Sequence, residues 1–344
     1  MKDYNNYFEK RNENNLKKIE ELLLDMPVFC SEYFIGTENN TSPLTRLNYA
    51  FDLRIFFDYI SRKKQIAVSD MKLNILDDIT DFDIQSYLSY LSDYTYKGKR
   101  EKCAERGKAR KLSSVRAMYR YFFNRDKIKS NVASKVSTPK LHDKEIIRLE
   151  VNEVTDILNL ADSDNAYSGR KNSYHLKTKV RDFAMLSLFL GTGIRISELI
   201  GLNVDDFDFE NNSFIVTRKG GNRTILYITD EVKDALISWI DERRANKEID
   251  SDEKALFISL QNRRIAPRSV EYLVKSYAKR VAPLKKITPH KLRSTFGTNL
   301  YNETGDIYAV ADYLGHKDVN TTRKHYAAVI QDSRRDTVKN IKLR

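Results

Sequence analysis

Apolar residues recur at helical spacing through most of this chain, and short polar stretches divide them. Leu16, Ile19, Leu22, Leu23 and Met26 predict a helix over 16–35. The polar run GTENNTSP (36–43) ends it, and Ser42-Pro43 starts the next helix with a cap and a proline at the first position. Tyr49, Leu53, Phe56, Phe57 and Ile60 share one stripe of that helix. Ile84, Tyr87, Leu88 and Leu91 mark another over 81–91, and Val115, Tyr119, Phe122 and Phe123 a third over 112–123. Residues 134–145 hold few apolar positions and include Pro139, which reads as an interdomain linker.

Beyond the linker, Val154, Ile157, Leu158 and Ala161 predict a helix, and 162–179 reads as a mobile polar loop. Residues 183–190 are apolar on nearly all sides, the mark of a buried central helix. Short strands are expected at 207–209, 214–216 and 225–228. RKGGNR (218–223) turns the second into the third, since Gly-Gly-Asn supplies the positive φ angles of a hairpin. Everything after Glu231 returns to helix. The expected fold is mainly α (α+β): a small all-helical N-terminal domain, then a mostly helical domain with a small antiparallel sheet.

At 344 residues the chain exceeds one ordinary core, so two domains are expected. Hydrophobic residues at 41% exclude a disordered chain. The net charge of +12 favours a polyanionic partner through counterion release and steering. That charge is dense at 97–111, where Lys97, Lys99, Arg100, Lys102, Arg106, Lys108, Arg110 and Lys111 face only Glu101 and Glu105. The stretch is either a solvated charged surface or a set of phosphate contacts. Cys30 and Cys103 have neither disulfide-framework nor metal-ligand spacing. No apolar signal core opens the sequence, and no run approaches the ~20 residues of a membrane span. A soluble, cytoplasmic protein is expected.

The candidate chemistry lies in the last 150 positions. Arg195 follows Gly191-Thr192-Gly193 at the end of the buried helix, with Glu198 three residues on to orient it. Arginine is always charged and its planar fork matches two phosphate oxygens. Thr288-Pro289 starts a helix that puts His290 and Arg293 on one face, beside the apolar stripe Leu292, Phe296 and Leu300. Ile307, Val310, Ala311 and Leu314 form another inward stripe, closed by Gly315, with His316 just beyond. Tyr326 follows in a short helix starting near 320. Taken singly, Arg195 with Glu198 reads as a salt bridge, His316 as a capping residue and Tyr326 as a core aromatic. Together with Lys219 they form a set that can surround a phosphodiester and attack it. A phenol with pKa about 10 needs such a positive field to act at neutral pH.

Four stretches, GTGIRISELIGL (191–202), TRKGGNR (217–223), TPHKLRSTFGTNLY (288–301) and YLGHKDVNTTRKHY (313–326), resemble in order the catalytic domain of the tyrosine recombinases, or phage-integrase family. The basic helical region resembles that family's SAM-like core-binding domain more loosely, and 1–40 the lead-in of single-protein Xer recombinases. The resemblance implies a helical lead-in at 1–40, a core-binding domain at 41–135, a linker at 136–147, a catalytic domain at 148–331 and a tail at 332–344 that docks in trans. It implies that Arg195 and Arg293 clamp the scissile phosphate, that Lys219 protonates the leaving 5′ oxygen and that His290 moves a proton near the nucleophile. His316 would hydrogen-bond the phosphate, Tyr326 would form a 3′-phosphotyrosyl bond, and Glu198 would support Arg195. Arg218 is adjacent to Lys219, and which of the two reaches DNA is open; the motif alignment favours Lys219.

The implied partners are double-stranded DNA and three further copies in a homotetramer on two sites, with a DNA translocase or accessory factor as an optional one. No cofactor, metal or ATP is implied, and Asp205, Asp206 and Asp208 read as a solvated turn. Xer-like chromosome dimer resolution is the leading role; integration or excision of a mobile element is the alternative. A type IB topoisomerase would use nearly the same residues, but the His-x-x-Arg pair and the small helical domain favour the recombinase. A non-catalytic DNA-binding protein would not need every catalytic position filled.

Overall fold

The computed structural model describes residues 6–141, 147–218, 221–315, 319 and 322. The chain divides into two compact units, Met1–Asp143 and Lys144–Arg344.

The first unit contains helices α1 (Asn6–Leu23), α2 (Phe29–Gly36), α3 (Pro43–Lys64), α4 (Ile75–Asp78) and α5 (Asp81–Tyr90), a hairpin of β1 (Tyr94–Tyr96) and β2 (Lys99–Glu101), and α6 (Glu105–Phe123). The single helix expected over 16–35 is two, because Pro27 has no N–H to donate and restricts the residue before it. Ser42 caps α3 as expected, its Oγ accepting the Thr45 N–H at 3.3 Å. Leu53, Phe56, Phe57 and Ile60 of α3 are fully buried, while Tyr49 is only partly so. They pack with Leu112, Val115, Met118, Tyr119 and Phe122 of α6 in one core. Phe123, expected inward, is 42% exposed: one residue past Phe122 it has rotated about 100° off the buried stripe.

The helical reading missed the short α4 and this hairpin. Lys97 and Gly98 form its turn with φ of 48° and 75°, the paired positive values of a tight two-residue connection. The basic stretch 97–111 is therefore split between a hairpin tip and the first turns of α6. It is also partly structural. Asp52 of α3 is fully buried and accepts from Arg110, from Lys111 Nζ at 3.0 Å and from Ser114 Oγ at 2.9 Å. Lys111, expected to contact DNA, is buried in this ion pair, so that expectation is corrected: its ammonium holds α6 to α3. Residues 136–138, expected to open the linker, are tied to this unit. Val136 is buried, and Arg116 of α6 donates to Val136 O and to Thr138 Oγ1.

The second unit is built on α9 (Lys179–Thr192), whose Ala184, Met185, Leu188 and Phe189 are fully buried. Around it pack α7 (Val151–Asp162), α11 (Asp230–Ala245) and α13 (Pro289–Thr304), with α8 (Arg170–Leu176), α10 (Ile196–Gly201), α12 (Pro267–Val281) and α14 (Ile307–Leu314) outside them. An antiparallel sheet of order β3-β4-β5 joins β3 (Phe207–Asp208), β4 (Ser213–Thr217) and β5 (Arg223–Tyr227), with Thr217 opposite Arg223. The expected mobile loop at 162–179 instead carries α8 and is packed. Buried His175 shares hydrogen bonds with Tyr277 Oη at 2.9 Å and Ser163 O at 2.7 Å. Composition hid this, because the anchors are polar side chains satisfied by one another. Among the described residues no helix is long and apolar enough to cross a membrane.

Removing the Asp52 carboxylate strands a buried ammonium. Asp52→Ala in the full chain is expected to cost about 3 kcal/mol in the stability of the first unit. Urea denaturation followed by circular dichroism checks this, and an unshifted midpoint would refute it.

Candidate active site

The site is built on two helix ends of the second unit that close in left-handed glycines. Gly193 closes α9 with φ 60° and Gly315 closes α14 with φ 61°. A helix's last carbonyls lack partners within the helix and carry the negative end of its dipole, so they attract cations. Three arginines meet them. Arg293, buried on α13, donates from Nη1 to Gly193 O at 2.7 Å and from Nη2 to Leu314 O. Arg195 Nη2 donates to Gly315 O at 3.3 Å. Arg218, at the end of β4, donates to Tyr313 O at 2.7 Å and Leu314 O at 3.1 Å.

Glu198 organises the cluster. Arg195 is the N-cap of α10; its N–H donates to Glu198 Oε2 at 2.8 Å and its Nη1 to Oε1 at 2.7 Å. The buried carboxylate thus fixes both the backbone and the side chain of Arg195. Its Oε2 also lies 3.7 Å from Arg218 Nη1. The Arg195 side chain stays 33% exposed, so part of its fork still faces solvent.

Thr288 and Pro289 start α13 as expected and set His290 one turn before Arg293. Partial burial of the ring, then the charges of Arg293, Lys291 and Arg195, hold the imidazole below its ordinary pKa. His290 still reaches the surface. The lowered pKa favours the neutral ring, which can accept a proton. The buried face of α13 differs from the expected one: Leu292, Arg293, Thr295 and Thr298 are inward, while Phe296 and Leu300 are only partly buried. Phe296 sits under the Gly193 turn, where a Cβ would fall 2.5 Å from its ring.

Arg195, Glu198, His290 and Arg293 are thus brought together. Lys219, His316 and Tyr326 lie outside the described residues. Two other phenols neighbour the site. Tyr313 donates its hydroxyl to Tyr227 O at 2.8 Å, and burial raises its pKa, so it is poorly placed to attack. Tyr308 is exposed in the first turn of α14. Arg218 is the residue whose part the sequence left open; the signal was its adjacency to Lys219. In the first unit, Lys99, Lys102 and Arg106 are exposed. Lys97 pairs with Asp25, Arg100 with Asp93 and Lys108 with Glu105. A cavity of about 620 Å³ beside Thr178 and Asp182 lies at the other end of α9 and contains none of the predicted catalytic residues.

The phage integrase family profile matches residues 148–332. The tyrosine recombinase XerC of Caldanaerobacter subterraneus subsp. tengcongensis is 30% identical over 315 residues, covering 87% of this chain and 83% of that protein. The tyrosine recombinase XerS of Streptococcus uberis is 29% identical, over 95% of this chain and 99% of its own length. Among solved structures, the XerH site-specific recombinase bound to its palindromic difH substrate matches with a TM-score of 0.66 at 18% identity, covering 87% of this chain and 80% of that one. The Tn1549 transposon integrase in complex with circular intermediate DNA matches with a TM-score of 0.62 at 23% identity, covering 88% and 96%. The chain belongs to the phage integrase family: it is a tyrosine recombinase, an enzyme of site-specific recombination, with Xer-type relatives.

The His290 titration reports the field of the site. Burial first, and nearby positive charge after it, disfavour the imidazolium, so its midpoint in the full chain is expected below 6.5, and Arg195→Gln is expected to raise it. Below pH 6.5 the unfolded chain takes up a proton that folded His290 resists, so this group's share of stability falls with falling pH. NMR of labelled histidine, assigned with His290→Gln, checks both; a midpoint at or above 6.5 contradicts the reading.

Proposed function

We propose that the chain cuts and rejoins double-stranded DNA at a specific site through a 3′-phosphotyrosyl bond to Tyr326 and a Holliday junction. The observation that carries this is the convergence of Arg195 and Arg293 on adjacent carbonyls, Gly315 and Leu314, with His290 one turn before Arg293 on the same helix. Forks that hold carbonyl oxygens suit the non-bridging oxygens of a phosphate equally well, and they would stabilise the extra charge of the pentacoordinate state. In this reading Lys219 protonates the leaving 5′ oxygen, His290 moves a proton near the nucleophile, His316 hydrogen-bonds the phosphate and Glu198 holds Arg195. The covalent intermediate conserves the phosphodiester energy, so religation draws on no ATP.

Residues 41–135 would be the core-binding domain and 148–331 the catalytic domain, with 1–40 leading in, 136–147 linking and 332–344 docking on a neighbour. Four copies would act on two DNA sites in the cytoplasm, with or without a DNA translocase or accessory factor. The near end-to-end match to XerS favours chromosome dimer resolution. The match to a transposon integrase supports a second reading, recombination of a mobile element.

The experiment is to trap protein–DNA adducts from a bacterial host in detergent with EDTA and sequence the attached DNA. Wild type is expected to yield adducts at one enriched site, and Tyr326→Phe to yield none while still binding DNA. Adducts that persist in Tyr326→Phe would assign the nucleophile elsewhere. Arg195→Ala or Arg293→Ala is expected to slow cleavage of that site by about 10²–10³-fold.

Binding separates the basic residues. Lys102→Ala and Arg106→Ala are each expected to lower the salt dependence of DNA affinity by about one charge with the melting curve unchanged. Lys111→Ala is expected to lower the melting temperature instead. Affinity measured across a salt series decides, and an unchanged slope in the first two would remove them from the interface.

A further inference from the structure

Arg218 occupies an unusual place for an arginine at a hairpin turn. Its side chain is only 9% exposed, and both its terminal nitrogens are engaged by the carboxyl end of α14. Its Nε–H is buried with no acceptor among the described residues. A Cβ on Gly315 would lie 3.0 Å from the guanidinium carbon, so the two segments approach as closely as glycine permits. Burial and the charge of Arg195 both act against its charge, and Glu198 acts for it. A buried cation beside two other arginines is a costly way to hold a turn, since an apolar side chain of similar size would serve stability as well or better.

What an apolar residue would not supply is a directed tie between two particular backbone segments. The residue after Arg218 in the chain is Lys219, and the residue after Gly315 is His316. Arg218 holds two successive carbonyls at the end of α14, so beside Lys219 it is the residue with a structural tie to make. We propose that Arg218 is a positioning residue for strand cleavage, tying the β4 end of the turn that carries Lys219 to the end of α14 and sharing Glu198 with Arg195.

The proposal rests on the reading of Lys219 as general acid. In that step the Tyr326 oxygen bonds to phosphorus, the bond from phosphorus to the 5′ oxygen breaks, and the leaving oxygen takes its proton from Lys219. A leaving sulfur departs as a thiolate and needs no such proton. A defect in delivering the proton is therefore repaired by a 5′-bridging sulfur, and a defect in folding or phosphate binding is not.

The test uses the full chain and the site recovered from the adducts, as a nicked duplex carrying oxygen or sulfur at the scissile 5′ position. Wild type, Lys219→Ala, Arg218→Ala and Arg218→Lys are compared for cleavage rate and DNA affinity. Arg218→Ala is expected to slow cleavage of the oxygen substrate by about 10²-fold, the lower end of what a general acid contributes. It should recover most of that loss with sulfur while its affinity is unchanged. Arg218→Lys, which keeps the charge but loses the fork, should fall between it and wild type in the sulfur-to-oxygen rate ratio. It also serves if Arg218→Ala does not fold. Rescue of Lys219→Ala alone, with the Arg218 variants equally slow on both substrates, overturns the proposal; so does a wild-type rate for Arg218→Ala on oxygen. If sulfur fails to rescue Lys219→Ala, the general-acid reading falls first and takes this inference with it.

Discussion

Like charges gathered at one point repel, and the second unit is arranged around making three arginines tolerate each other. Glu198 and the carbonyl ends of two helices do this together. The carboxylate binds Arg195 at both its backbone and its fork and lies within ion-pair reach of Arg218. The carbonyls of Gly193, Tyr313, Leu314 and Gly315 accept from terminal nitrogens of all three arginines. Neutral oxygens relieve repulsion without cancelling charge, so the cluster stays positive. A fully paired set of guanidiniums would be more stable and of little use to a phosphate, because its field would be spent.

The two glycines are the geometric side of the same constraint. A left-handed residue ends a helix sharply and leaves its last carbonyls facing outward. At Gly193 any side chain would strike Phe296, and at Gly315 it would press on Arg218. These residues permit the close approach that brings carbonyl and guanidinium within hydrogen-bond distance. They also explain why short motifs on separate elements are legible as one site: each sits at a helix end, where a few residues define the geometry.

Much of this could be read from the sequence, for identifiable reasons. Ser42-Pro43 and Thr288-Pro289 start helices because cap and proline act locally. The buried α9 and the strands around RKGGNR followed from apolar runs and turn glycines. Misreadings came where long-range contacts decide. Pro27 splits a helix whose apolar spacing continues across it. Residues 162–179 look like solvated loop until His175 is seen against Tyr277, 102 positions away. The Lys97-Gly98 turn was invisible because lysine seldom takes a left-handed conformation. Arg218 looked like a second DNA-facing cation beside Lys219, since sequence does not report that its fork is occupied by residues 313 and 314.

Charge counting misleads for the same reason, and the two units show it with matching devices. Each buries a carboxylate that gathers cations: Asp52 holds Arg110 and Lys111, and Glu198 holds Arg195 with Arg218 close by. In both, one cation is enclosed and the other remains partly exposed. Lys111 at 8% and Arg218 at 9% side-chain exposure are spent on holding elements together. Arg110 and Arg195 are anchored at one edge and open at the other, so they present a charge whose position is already fixed. A cation ordered before the ligand arrives loses less side-chain entropy on binding than one on a solvated stem. Which part of a net charge of +12 is held and open, and which is enclosed, is therefore revealed by burial and pairing and not by composition.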